Sequence, residues 1–152
     1  MHSGHAKTFL CDQNLGRLAK WLRIMGFDTL YMYCWSEESI QQALDSGRIV
    51  LTRKGKMAGK DGFVFIRDDR LEDQLKQLAR IFDLEQEARP FILCSICNCL
   101  LTEIGRGEVK GHVPEYVYMT HATFMVCPSC QRIYWKGTHI VRVEDMLKHV
   151  LR

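Results

Sequence analysis

Apolar positions in the first half of this chain alternate between two rhythms. Lys7 to Cys11 is a short apolar run ending at Asp12, the mark of a buried strand. Leu15, Leu18, Ala19, Leu22 and Met25 then recur at helical spacing, with Asn14 available as a cap and Gly26 as a stop. Phe27 to Tyr31 predicts a second strand. Ser36 predicts an N-cap with Glu37 and Glu38 in the first turn, above an inner stripe of Ile40, Ala43 and Leu44. Gly47 closes that helix. Arg48–Thr52 and Phe63–Ile66 predict two more strands, and Asp69 precedes a longer amphipathic helix marked by Leu71, Leu75, Leu78, Ala79 and Phe82. Strands alternating with helices in this way predict a three-layer α/β sandwich with a mostly parallel sheet.

The rhythm changes after the charged stretch Glu85 to Pro90, which places an α/β domain over 7–88 and a second module over 89–152. In that module Tyr116–Met119 and Thr123–Val126 read as short strands, and a last helix is expected to start near Val143. Two CxxC pairs, Cys94/Cys97 and Cys127/Cys130, frame it. A two-residue spacer turns both thiolates of a pair onto one ion, and two such knuckles close a tetrahedral Cys₄ shell with no open position. The expectation is structural zinc in a ribbon of short strands. Cys99, one residue beyond Cys97 and Asn98, has poorer knuckle spacing and is read as spare.

Composition narrows the picture only a little. Across 152 residues, 47% are hydrophobic and 26% charged, which fits a folded globular chain. Seven cysteines and no apolar leader suit a reducing cytoplasm and metal ligation better than a disulfide framework. No apolar run approaches the length that spans a bilayer. A net charge of +3 permits a polyanionic partner without demanding one. Met1–His5 reads as an unstructured leader or an expression remnant.

Ligands of an open parallel sheet gather beyond the carboxyl ends of its strands. Asp12 follows the first predicted strand, Glu37 and Glu38 follow the second, Arg53 and Lys54 the third, and Asp68 and Asp69 the fourth. Such carboxylates can hold Mg²⁺ or Mn²⁺, which activates water and neutralises phosphodiester charge. On spacing alone the plainer reading has the advantage, with Asp12 as a cap and the glutamates as first-turn residues favoured by the helix dipole. Arg17 and Lys20 share a helical face and could meet phosphates beside Asp12, or form a solvated flank. Trp21 reads as core, and His139 as a surface or structural residue. Cys11 and Cys34 lack local partners.

With those pieces placed, the chain resembles the Mut7-C RNase domain family, a PIN-like nuclease fold followed by a zinc ribbon. The resemblance rests on Cys11-Asp12, Leu15 to Arg23, Gly26 to Tyr31, Gly47 to Arg53 and Gln74-Leu75. It continues in Cys94-x-x-Cys97-Asn98, Val113-Pro114 and Cys127-Pro128-x-Cys130 with Ile133 to His139. It implies a metal-dependent endoribonuclease in which Asp12 and Glu38, or Glu37 in its place, hold Mg²⁺ or Mn²⁺, and Asp69 or Asp68 completes the catalytic set. Arg17, Lys20, Arg53 and Lys54 would contact RNA, and the ribbon would be an accessory module. Lys54 departs from the family pattern, which places aspartate there. Two unit charges ~4 Å apart in partly shielded surroundings interact by ~4 kcal/mol, so a cation beside Asp12 would repel a metal. Asp61, Asp68 and Asp69 are the acids available to compensate. The alternative is a catalytically degenerate module that binds RNA, a protein or a second copy through the ribbon. A redox role for Cys11, Cys34 or Cys99 is weaker, because no CxxC lies at a strand-to-helix junction.

Overall fold

In the computed structural model, residues 6–136 and 138–150 are described; the leader expectation for Met1–His5 and the His139 side chain lie outside them. The first half alternates as the pattern predicts: β1 (Phe9–Cys11), α1 (Gly16–Ile24), β2 (Thr29–Tyr31), α2 (Glu37–Asp45), β3 (Ile49–Thr52), β4 (Phe63–Phe65), α3 (Leu71–Ile81) and α4 (Leu84–Glu87). The strands are a residue or two shorter than their apolar runs. They form one parallel sheet in the order β2-β1-β3-β4, with Phe9 opposite both Thr29 and Ile49, and Val50 opposite Phe63. All four carboxyl ends therefore share one edge.

Both faces of the sheet are buried, which explains why its strands read as continuous apolar runs. Phe9, Cys11 and Leu51 point into a cluster with Leu18 and Leu22 of α1 and Leu75 and Leu78 of α3. Leu10 and Val50 point the other way, onto Ile40 and Ala43 of α2. Ser36 caps α2 as expected, its Oγ accepting the Ser39 N–H at 3.1 Å. Asn14 does not cap α1; Leu15 takes that position without a side-chain cap. Asp12 shapes the entry instead, accepting the Asn14 N–H on Oδ1 at 2.9 Å and the Leu15 N–H on its carbonyl at 3.0 Å.

The second module is an antiparallel sheet, β5 (Thr102–Ile104), β6 (Phe124–Val126) and β7 (Ile133–Trp135), with α5 (Arg106–Val109) and α6 (Glu115–Thr120) between its first two strands. The segment read as a strand around Tyr116–Met119 is helix α6. Its aromatic and β-branched residues favour strands locally, but Pro114 sits at the N-cap and only Val117 of the six is buried. The last helix, α7 (Thr138–Val150), begins before Val143 rather than near it. It returns to the first module, where Val143 and Val150 join the core cluster of α1 and α3.

Polar side chains stitch the two modules at the amino edge of the parallel sheet. Asn98, held at φ 61°, accepts the Thr29 N–H on Oδ1 at 3.0 Å and donates Nδ2 to the Asp28 carboxylate at 2.6 Å. Arg23 donates to the carbonyls of Thr29 at 2.8 Å and Ile96 at 2.9 Å. Arg48 pairs with Asp28 at 3.0 Å and donates to the Phe9 carbonyl. Gly26 lets the linker close over this edge. A Cβ there would lie 2.1 Å from the Arg89 carbonyl oxygen, and its φ of 93° is itself unfavourable to other residues.

Candidate functional site

The carboxyl edge of the parallel sheet gathers most of the predicted residues, but not as a cluster of acids. Asp12 is 1% exposed and accepts three hydrogen bonds. Besides the Asn14 amide, Oδ2 takes the Thr52 hydroxyl at 2.7 Å and the Arg53 N–H at 2.8 Å. Thr52 also accepts the Lys54 N–H at 3.0 Å. Asp12 thus staples the ends of β1 and β3. Thr52 was not singled out in the sequence; a buried hydroxyl ending an apolar strand is the signal it carried.

Arg53 reaches across to the loop after β4, donating to the Ile66 carbonyl at 2.7 Å and the Asp68 carbonyl at 3.2 Å and pairing with the exposed Asp69 carboxylate. One residue therefore touches both Asp12 and Asp69. The loop is held from below by α3. Gln74 donates to the Asp68 carbonyl at 2.9 Å, while Gln77 donates to the Phe65 carbonyl at 2.7 Å and accepts the Arg67 N–H at 3.1 Å. Two buried glutamines among the leucines of an amphipathic helix were the sequence signal for this.

A depression of about 260 Å³ opens here, lined by Asn14, Arg17, Tyr31, Asp69 and Gln74 among others. Arg17 lines this depression together with Asp69, whereas Lys20 lines a different groove. Lys54 is drawn away: its ammonium lies 3.6 Å from the Trp35 ring centroid, and Trp35 donates its indole N–H to Glu37 at 3.0 Å. Among the described residues Lys54 forms no ion pair with Asp12. Glu37 and Glu38 are both exposed in the first turn of α2, and the indole hydrogen bond ties Glu37 to this corner. Asp61 is exposed on the loop before β4.

The cysteine quartet assembles as predicted. The sulfurs of Cys94, Cys97, Cys127 and Cys130 all lie within 4.8 Å of one another, and Cys99 is outside the group. Bonds of about 2.3 Å in a tetrahedron put zinc-bound sulfurs about 3.8 Å apart, and Cys94 and Cys130 are separated by 3.7 Å. The Cys97 and Cys130 amides donate to the first sulfur of each pair, at 3.4 and 3.5 Å. Burial raises the Cys94 thiol. The Tyr134 hydroxyl at 3.1 Å and backbone N–H donors outweigh it and bring the thiol down to about 6, which favours the thiolate a metal needs. These four cysteines are positioned to hold a metal ion, and no ligand position is left for substrate. The quartet adjoins the amino edge of the parallel sheet through Asn98, Ser95 and Ile96, so it takes no part at the carboxyl edge. Cys11 is fully buried, and burial with the Asp12 charge pushes its thiol far up, which makes it core rather than a redox group.

Among the described residues no helix is long and apolar enough to cross a membrane. Compared with known proteins, the chain matches the family model described as Mut7-C RNAse domain over residues 7–147. No curated protein and no solved structure matches it.

Proposed function

Since the chain belongs to the Mut7-C RNAse domain family, we propose that it cleaves RNA phosphodiester bonds at the carboxyl edge of its parallel sheet, as a PIN-like endoribonuclease. The observation that carries this reading is the joining of Asp12 and Asp69 by Arg53 at one sheet edge, with Arg17 lining the same pocket. Arg17 positions the phosphate backbone, and Arg53 fixes the Asp69 loop through three acceptors. Zinc is the ion that suits the four-thiolate site, where it would stabilise the ribbon. We place the chain in the cytoplasm, where such thiols stay reduced.

Asp12, Glu38 and Asp69 do not fit a preformed Mg²⁺ or Mn²⁺ site. Among the described residues the cysteine quartet is the only group of three or more such ligands within 4.8 Å, and both Asp12 oxygens already accept hydrogen bonds. Ions of this class use one or two carboxylates plus substrate phosphates, so a preassembled trio is not a requirement of the chemistry. The same observation favours a second reading, a protein that binds RNA at this edge without cutting it.

A time course on mixed-sequence RNA with Mn²⁺, Mg²⁺ or chelator separates the two. Asp12→Asn is a poor control, because Asp12 supports the fold; Glu38→Gln and Asp69→Asn change exposed carboxylates. Cleavage that needs the added ion and falls at least tenfold in either variant establishes the nuclease. RNA retention without cleavage in any of the conditions establishes the binder. Titration calorimetry with Mn²⁺ on Lys54→Asp bears on the second reading: markedly tighter binding than wild type supports a degenerate site, and equal binding, as expected with the Lys54 ammonium held over Trp35, counts against degeneracy.

A further inference from the structure

A second groove, of about 420 Å³, lies between α1, the segment around Phe91 to Ser95, β7 and the start of α7. Lys20, Arg132 and Arg142 supply three cations to its wall, and Trp21, Phe91, Tyr134 and Trp135 supply four rings. None of its described lining residues is acidic, in a chain whose 21 basic and 18 acidic residues nearly balance. None of the three cations enters an ion pair among the described residues.

Two rings are held in place by unusual means. Phe91 is a bulky residue at φ 68°, a left-handed conformation that persists only where the surroundings impose it. The Tyr134 hydroxyl is tied to the Cys94 sulfur at 3.1 Å and accepts the Ser95 N–H at 3.3 Å, so the metal quartet fixes this wall of the groove.

We infer that this groove binds single-stranded RNA, with bases against the aromatic faces and phosphates on Lys20, Arg132 and Arg142. Stacking rings interleaved with cations suit unpaired nucleotides, because every base offers a π-face and every linkage an anion. A duplex hides its base faces and would meet only the charges. An acidic peptide would pair with the cations and leave the rings without matching partners. Lys20 stands one helical turn from Arg17, so a strand leaving the groove over α1 reaches the pocket at the carboxyl edge. The inference rests on the reading of the chain as an RNA-directed protein. It assigns strand binding to a surface separate from the cleavage edge.

Fluorescence anisotropy of a labelled single-stranded RNA, with metal-loaded protein and no added divalent ion, tests it apart from cleavage. Arg132→Ala with Arg142→Ala should weaken binding and flatten its salt dependence, since two phosphate contacts are lost. Phe91→Gly removes a ring at a position where glycine tolerates the backbone, and should weaken binding roughly tenfold without lowering the melting temperature. Unchanged affinity in natively folded groove variants overturns the inference even if RNA is cleaved at the other edge. Weakened affinity upholds it even if no cleavage occurs. Equal displacement of the RNA by an acidic peptide overturns it in favour of a protein site.

Discussion

A carboxylate buried as deeply as Asp12 is tolerable only because every donor around it is aimed at it. Asp12→Asn keeps the shape and reverses part of the pattern, turning an NH₂ toward N–H or O–H donors. We expect it to lower stability by about 2 kcal/mol in chemical denaturation, the usual cost of leaving buried donors unmatched; an unchanged midpoint would remove the staple role. Asp28 behaves differently. Burial alone would raise its carboxyl, but hydrogen bonds from Arg48 and Asn98 and the nearby guanidiniums hold it below its ordinary 3.8. A lowered folded value means the unfolded chain binds the proton first. The stabilisation is therefore complete above pH 3.8 and fades as pH falls through the folded value. Wild type should exceed Asp28→Asn by about 1 kcal/mol at neutral pH, discounted for partial exposure, and the gap should close in acid. A pH-independent gap would show that packing, not charge, is what the substitution removes.

At the scale of elements, helices with a clean apolar stripe and a named cap or stop were legible in the sequence. Ser36 and Gly47 bound α2, and the leucines of α3 gave its inner face. The order of strands and helices and the two metal-binding CxxC pairs were legible for the same reason, since each is specified within a few residues. What the sequence concealed depended on distant partners. Helix α6 is a strand by local preference, and α7 starts more than a turn before Val143, where the sequence placed it. Gly26 looked like a simple helix stop, yet its second role is to admit the Arg89 backbone, which no local pattern announces. Gly26→Ala combines a left-handed backbone with a 2.1 Å approach to a carbonyl oxygen. It should cost about 3 kcal/mol, at the upper end for such strain. Thermal melting within a degree or two of wild type would mean that the linker yields freely.

Over the whole molecule, the metal quartet adjoins the amino edge of the parallel sheet, opposite the carboxyl edge that carries Asp12, and Arg23, Asp28, Arg48 and Asn98 join the two modules there. Several residues that carry the family resemblance belong to this join rather than to chemistry, which explains why motif residues did not all converge on one site. The arrangement makes metal removal a local event with a defined reach. Structural zinc contributes its binding free energy, about 10–16 kcal/mol in small modules, to the fold around it. Chelation should release the amides of β5, β6 and β7 to rapid hydrogen exchange. The Thr29 amide should follow, because its acceptor is Asn98 of the first knuckle. Val50 and Leu51, sealed between α2 on one face and α1 and α3 on the other, should stay protected. Cys99→Ser should leave both metal content and this pattern intact, as its sulfur lies outside the quartet. If β1 and β3 lose protection together with the ribbon, the chain is one cooperative unit that depends on its metal. If Thr29 stays protected while the ribbon opens, the amino-edge join does not depend on the knuckle that carries Asn98.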